Sequence, residues 1–135
     1  MYSNILLPVP YSPETQLQKP LEVAQTLADE DAKIHLVHVM EVLPSYVTQY
    51  LPPNTVEITK GQMLTQMEEF AADLPNAQAI VLDGHAGRVL SDFAEENEVD
   101  LIVMSSHIPG AGDLLWGSTA GYVVRHVPCA VHVIR

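Results

Sequence analysis

Five short apolar runs, separated by stretches with helical spacing, constrain this chain more than any other feature of it. They are Ile5-Leu6-Leu7-Pro8-Val9, Ile34 to Met40, Ala77 to Leu82, Leu101 to Met104 and Ala130 to Ile134. Each is apolar on both parities or nearly so. That pattern marks a strand covered on both faces, because a strand with one wet face alternates. Between the runs, apolar residues recur every three or four positions: Leu17, Leu21, Ala24 and Ala28, then Leu64, Met67, Phe70, Ala71 and Leu74. Val89, Leu90, Phe93 and Ala94 continue the pattern, as do Ala120, Val123, Val124 and Val127. Parallel neighbours need crossovers, which are right-handed and cover the sheet, so this alternation specifies an α/β fold. The expected architecture is a five-stranded doubly wound parallel sheet with helices on both faces. At 135 residues the chain has room for one such domain, 1–135.

Local signals set the boundaries. Ser12-Pro13-Glu14 reads as a helix cap, but Pro20 lies inside the pattern that follows. An interior proline costs about 3 kcal/mol, so the regular helix is expected to begin late, near Pro20. The stretch from 41 to 57 holds Pro44, Pro52, Pro53, Tyr46 and Tyr50 with no sustained period, and is expected to be a loop, either a lid or a surface excursion. Helices are predicted over about 58–74 and about 86–97, and from Gly117-Ser118-Thr119 until Pro128 ends the last one. In such a sheet a ligand sits outside the carboxyl ends of the strands, at the switch point. The loops after the first four strands are therefore the ones to inspect.

Composition removes whole classes of function. Six Lys and Arg stand against 17 Asp and Glu, for a net charge of -11, so no basic face exists to displace counterions from nucleic acid or an anionic membrane. No stretch approaches the length of a membrane span. The single Cys129 cannot pair internally, and no basic leader precedes the first strand, which points to a soluble protein of a reducing, cytoplasmic compartment. His35 and His38 are three apart on a strand and so face opposite ways, and the other four histidines have no ligand spacing, so no metal site is expected. No nucleophile elbow is present, and the adjacent Ser105-Ser106-His107 are not arranged as a triad. No lysine precedes Ser118 as a phosphate-loop lysine would, and Pro8, Val9 and Pro10 occupy the strand end where a receiver domain needs acids. No catalytic residue is assigned, and slow ATP hydrolysis is the most that these residues allow.

The loop after the fourth strand carries the strongest chemical signal. Ser105 to Trp116 leads into Gly117-Ser118-Thr119, where a helix begins. A helix start presents unpaired amides and a partial positive charge, which suits phosphate. The alternative is that Ser118 only caps the helix and the glycines only turn the chain. Arg88 is expected at the surface, and Trp116 is expected to pack under the loop or at a subunit contact.

Three segments carry a resemblance to a known family: Asp100-Leu101-Ile102-Val103-Met104-Ser105-Ser106-His107, Leu114-Leu115-Trp116-Gly117-Ser118-Thr119-Ala120, and Val124-Arg125-His126-Val127-Pro128-Cys129-Ala130-Val131-His132-Val133-Ile134-Arg135. Together they resemble the C-terminal third of the universal stress protein family, in its short-loop type. The earlier strands and Gly84 fall where that family has its other signatures. The resemblance implies strand order 3-2-1-4-5, dimers through the fifth strand, and, in nucleotide-binding members, a G-x2-G-x9-G-[ST] motif. Gly117 and Ser118 match its closing pair, and Thr119 follows. Its first glycine falls on Ser105 and its second on His107 or Ile108, with one residue fewer between. Relatives that bind nucleotide usually carry an aspartate two residues after the strand-1 proline, where this chain has Pro10.

The resemblance thus implies a small regulatory protein that binds ATP or another adenine nucleotide, with Mg²⁺ as a companion where ATP is the ligand. Its pocket would use Pro8, Val9 and Pro10, the Val39 backbone for adenine, and Gly84 near the ribose. Ser105, Ser106, His107, Gly117, Ser118 and Thr119 would surround the phosphates. The alternative is a dimeric interaction protein of the same fold without nucleotide affinity, which Pro10 and the missing loop glycines favour. In either case a homodimer is expected through the edge strand around Val131 and Val133, together with an unknown regulated protein.

Overall fold

The computed structural model describes residues 1–10, 17–106 and 118–135. In chain order the elements are β1 (Tyr2–Pro8), α1 (Gln18–Leu27), β2 (Ala28–Met40), α2 (Ser45–Thr48) and α3 (Thr55–Ala71). They continue with β3 (Ala77–Asp83), α4 (Ala86–Glu96), β4 (Leu101–Ser105), α5 (Ser118–His126) and β5 (Ala130–Ile134). All strand pairs are parallel and the order is β3-β2-β1-β4-β5. The expected fold class and strand order are therefore observed.

Two-sided burial explains the apolar runs. Ile5, Leu7, Ile34, Leu36, Leu101 and Val103 point to one face, where Leu17 and Ala24 and, from α3, Met63 and Met67 cover them. Leu6, Val37, Val39, Ile102 and Met104 point to the other, under Leu90 and Ala94 of α4 and Ala120 and Val123 of α5. Burying one such aliphatic side chain is worth about 1.5–3 kcal/mol, so the central strands supply much of the driving force for folding.

Several boundaries differ from expectation for local reasons. The late start of α1 is observed, at Gln18, two residues before Pro20; in a first turn the missing proline N–H costs nothing. β2 begins at Ala28 rather than Ile34. Its first residues pair Tyr2 with Ala28, and an irregularity before Asn4↔Lys33 absorbs the polar insertion. Asp29, Glu30 and Asp31 have low strand propensity, which hid this extension. The segment expected to be a loop contains the one-turn α2, and α3 starts at Thr55, three residues earlier than expected. There Asn54, at φ 63, sets the entry and accepts from the Ile58 amide. α3 also ends earlier, at Ala71, and Leu74 packs on the core from the turn beyond it.

A polar network closes the amino-terminal end of the sheet. Asp100 accepts from the Ser3 amide at 2.9 Å, the Ser3 hydroxyl at 3.1 Å and the Asn4 amide at 2.9 Å. Burial works to raise this carboxyl, but the hydrogen bonds outweigh it and hold Asp100 below its ordinary value. Asn4 donates through Nδ2 to the Asn97 carbonyl at 2.6 Å, and its Oδ1 lies 2.7 Å from Nε2 of the buried His35. Gln78 completes the chain at His35 Nδ1. His35 and His38 do face opposite sides, since the His35 ring packs edge-on against Phe93 of α4 while His38 bonds the Val9 carbonyl.

Candidate functional site

At the carboxyl end the strands stop at different heights. β1 pairs with β2 as far as Pro8 opposite Val37, whereas β2 and β3 stay paired out to Met40 opposite Asp83. The overhang of three residues makes a wall about 10 Å tall. Beneath it lies a cleft of about 330 Å³ on the α4/α5 face of the sheet, between β1 and β4, where the chain order reverses direction. This is the switch point expected to hold a ligand. Its described lining is mainly apolar: Pro8, Val9, Pro10, Val37, Val39, Ala86, Leu90 and Met104, with His38, Glu41, Ser105 and Thr119 as the polar members.

The backbone gives the wall its chemistry. The Val37 carbonyl accepts from the Val9 amide at 2.8 Å, so the polar groups of Val37 face β1. The Met40 carbonyl accepts from the Gly84 amide at 2.9 Å, so those of Met40 face β3. Alternate residues of a parallel strand share a direction, which turns the Val39 amide and carbonyl toward the β1 side, where β1 has already left the sheet. A donor and an acceptor therefore stand side by side above an apolar floor. Pro8 and Pro10 bracket the exit of β1, and His38 Nδ1 donates to the Val9 carbonyl at 2.7 Å, pinning that exit in place.

Two helix starts face the same end. Ala86 begins α4 after His85, whose Nδ1 accepts from the Arg88 amide at 3.3 Å. Thr119, in the first turn of α5, contributes to the cleft, and Arg125 and His126 in the last turn complement the helix dipole. The two helices approach closely because Gly87 has no side chain: a Cβ there would lie 2.9 Å from Tyr122. All six Lys and Arg residues fall within the described segments and none lines the cleft, so an anion there would meet amide dipoles and hydroxyls.

Of the residues expected to form the site, Pro8, Val9, Pro10, Val39, Ser105 and Thr119 come together at the cleft. Ser118 opens α5, exposed and beside the lining. Ser106 is buried and committed to β5, its amide 2.8 Å and its hydroxyl 3.2 Å from the Ile134 carbonyl. Gly84 stands outside the lining and has a backbone role. Its φ of 136 is a conformation that side-chain-bearing residues rarely adopt, and a Cβ would meet Val89 at 2.7 Å. His107 and Gly117 lie outside the described residues, as does Trp116. Sequence reasoning missed Val37, His38, Glu41, Ala86, Leu90 and Met104. The available signal was parity, since Glu41 continues the alternation of Val37 and Val39 toward the α4/α5 face.

The family model described as the universal stress protein family matches residues 1–135, the whole chain. The chain belongs to the universal stress protein family. Universal stress protein G of Salmonella typhimurium is 28% identical over 145 residues, covering 100% of both chains. Among solved structures, universal stress protein UspA from Lactobacillus plantarum superposes with a TM-score of 0.71 at 27% identity, covering 99% of this chain and 98% of that one. A family protein from Arabidopsis thaliana, with AMP bound, shares the fold with a TM-score of 0.65 at 17% identity, over 98% of this chain and 90% of that one. Among the described residues no group of three or more His, Cys, Asp or Glu is placed to hold a metal ion, and no helix is long and apolar enough to cross a membrane.

Proposed function

We propose that this universal stress protein is an adenine-nucleotide-binding regulatory module, acting through nucleotide-dependent contacts of a dimer or with a partner protein. The observation that carries the reading is the Val39 donor–acceptor pair at the head of a mainly apolar cleft. An adenine ring offers an acceptor at N1 beside a donor at N6, so it complements one amide and one carbonyl of the same residue while its faces contact apolar side chains. Phosphates would then extend toward Ser105, Thr119 and the start of α5, where helix amides favour negative charge. The AMP-bound Arabidopsis relative supports adenine as the base that this fold accepts. ATP with Mg²⁺ is the ligand proposed, and a described lining that holds no Lys or Arg suits binding rather than turnover.

Assembly is proposed to use β5. It lies at the end of the strand order and pairs only with β4, so its outer backbone groups form an open edge among the described residues. Val133 is 36% exposed and Val124 of α5 is 52% exposed, giving that edge apolar side chains to bury. A two-fold pairing of the strands around Val131 and Val133 would satisfy both.

The nucleotide reading is tested by denaturing purified protein, identifying any released nucleotide by mass, and titrating the protein calorimetrically with ATP and Mg²⁺. Bound adenine nucleotide or saturable heat is expected. The absence of both released nucleotide and heat at millimolar ATP would favour a ligand-free dimeric interaction protein, the reading to which Pro10 points. Without an N–H or a carboxylate, Pro10 offers a nucleoside fewer polar contacts than aspartate would.

A further inference from the structure

The carboxylate at the mouth of the cleft has no assigned role. Glu41 is the only acidic residue in the described lining, and it follows directly on the last residue of β2. The two ion pairs among the described residues, Met1–Asp29 and Lys60–Asp83, leave it out. It stands two residues beyond Val39, about 7 Å along an extended chain, and lines the same cleft. A glutamate side chain spans much of that distance, which puts a group bound at the Val39 carbonyl within range of the carboxylate.

Resting on the adenine-nucleotide reading above, we propose that Glu41 accepts the second hydrogen of the purine 6-amino group, reinforcing the selection of a 6-amino over a 6-oxo base that the Val39 amide and carbonyl already make. A 6-amino group carries two hydrogens. If the Val39 carbonyl accepts one, the second projects outward along the strand, toward Glu41. An ionised carboxylate only accepts hydrogen bonds, so it satisfies that second hydrogen. Against a 6-oxo base the same carboxylate would face a carbonyl oxygen, two acceptors with no hydrogen between them, in addition to the N1–H and O6 that would oppose the Val39 amide and carbonyl. Discrimination arises from the repulsive element as well as the attractive one. At the partly open mouth, solvent screening holds the effect to roughly threefold to tenfold in affinity, below the range for a fully buried charged pair.

The test is calorimetric titration of the full chain with ATP, inosine triphosphate and 2′-deoxy-ATP, for the wild type and for Glu41→Ala and Glu41→Gln. Glu41 is an exposed residue, so both variants are expected to fold, as far-ultraviolet circular dichroism will check. Wild type should prefer ATP over inosine triphosphate. Glu41→Ala should lose ATP affinity by roughly threefold to tenfold with little loss for inosine triphosphate. Glu41→Gln, whose amide can donate to a 6-oxo group as well as accept, should narrow the preference further, while the Val39 mismatch keeps ATP ahead in every variant. Equal losses for ATP and inosine triphosphate would overturn the proposal, as would an unchanged preference in both variants. A change confined to the ratio of ATP to 2′-deoxy-ATP would move Glu41 to the sugar and equally refute it. If no nucleotide binds the wild type, the adenine-nucleotide reading fails and takes this proposal with it, an outcome distinct from ATP binding that is indifferent to Glu41.

Discussion

Acid should weaken this fold through one buried imidazole. His35 is 6% exposed, on the middle of β2, and its two nitrogens have fixed partners. Asn4 spends its Nδ2 hydrogens on the Asn97 and Glu98 carbonyls, so its Oδ1 is the acceptor and His35 Nε2 must donate. Gln78 Nε2 can then donate to His35 Nδ1, which leaves the ring neutral with its proton on Nε2. Protonation would set an N–H against an N–H. Burial, and secondarily the charge of Lys33, hold His35 below its ordinary value of 6.5. Between the folded value and 6.5 the unfolded chain binds more protons than the folded one, so stability rises with pH across that window. The contribution is complete above 6.5 and is lost as the pH falls toward the folded value, at a slope of at most about 1.4 kcal/mol per pH unit.

His35→Phe isolates the effect. It preserves an aromatic contact for Phe93 but strands Asn4 Oδ1 and the Gln78 amide, which costs about 1–3 kcal/mol at pH 7.5. The variant should therefore start less stable, and the gap to wild type should narrow as pH falls below 6.5. The remaining five histidines are common to both chains and cancel in the difference. Urea midpoints at fixed protein concentration from pH 7.5 to 5 provide the assay, since assembly would otherwise shift apparent stability. A gap that stays constant over that range would refute the reasoning, as would an imidazole resonance of His35 titrating at or above 6.5.

Gly87→Val should destabilise the chain by about 1–3 kcal/mol in urea denaturation, because the new Cβ lies 2.9 Å from Cβ, Cγ and Cδ1 of Tyr122. Tyr122→Phe should not rescue it, since none of the clashing atoms is the hydroxyl. Val131→Pro should convert the proposed dimer to a monomer in sedimentation, removing an edge donor with little loss of the core. A wild-type protein that sediments as a monomer at micromolar concentration would refute the β5 assembly.

What the sequence displayed and what it hid follow from the range of the forces involved. Strands buried on both faces must be apolar at nearly every position, so Ile5 to Val9 and Leu101 to Met104 announced themselves. The strand order came with the resemblance rather than from periodicity, because hydrophobic pattern is blind to which strands are neighbours. The extension of β2 back to Ala28 was invisible, since Asp29, Glu30 and Asp31 are exposed in the irregularity between the Tyr2↔Ala28 and Asn4↔Lys33 pairs, where nothing requires an apolar side chain. Gly84 and Ser106 show the opposite error. Both sit at strand ends, where ligand contact and local backbone demand leave the same residue types. Only the φ of Gly84 and the contact of Ser106 with the Ile134 carbonyl show the backbone demand. Glu41 reads in sequence like any solvated acid until the overhang of β2 gives it a cleft to face.

The two ends of the sheet are treated differently, and the difference accounts for the site. At the amino end four of the five strands are tied together: Asp100, just before β4, holds the Ser3 and Asn4 amides, and Asn4, His35 and Gln78 bridge β1, β2 and β3 in one hydrogen-bonded line. Buried polar groups there are satisfied by each other, so that end offers a ligand little. At the carboxyl end the β1–β2 pairing stops at Pro8 opposite Val37 while β2 runs on to Met40, and the Val9 carbonyl, the next acceptor of such a ladder, takes the His38 Nδ1 hydrogen. Extending β1 by two pairing residues would satisfy Val39 internally and fill the base of the cleft. The open donor and acceptor of Val39 are therefore a consequence of where the β1–β2 pairing ends.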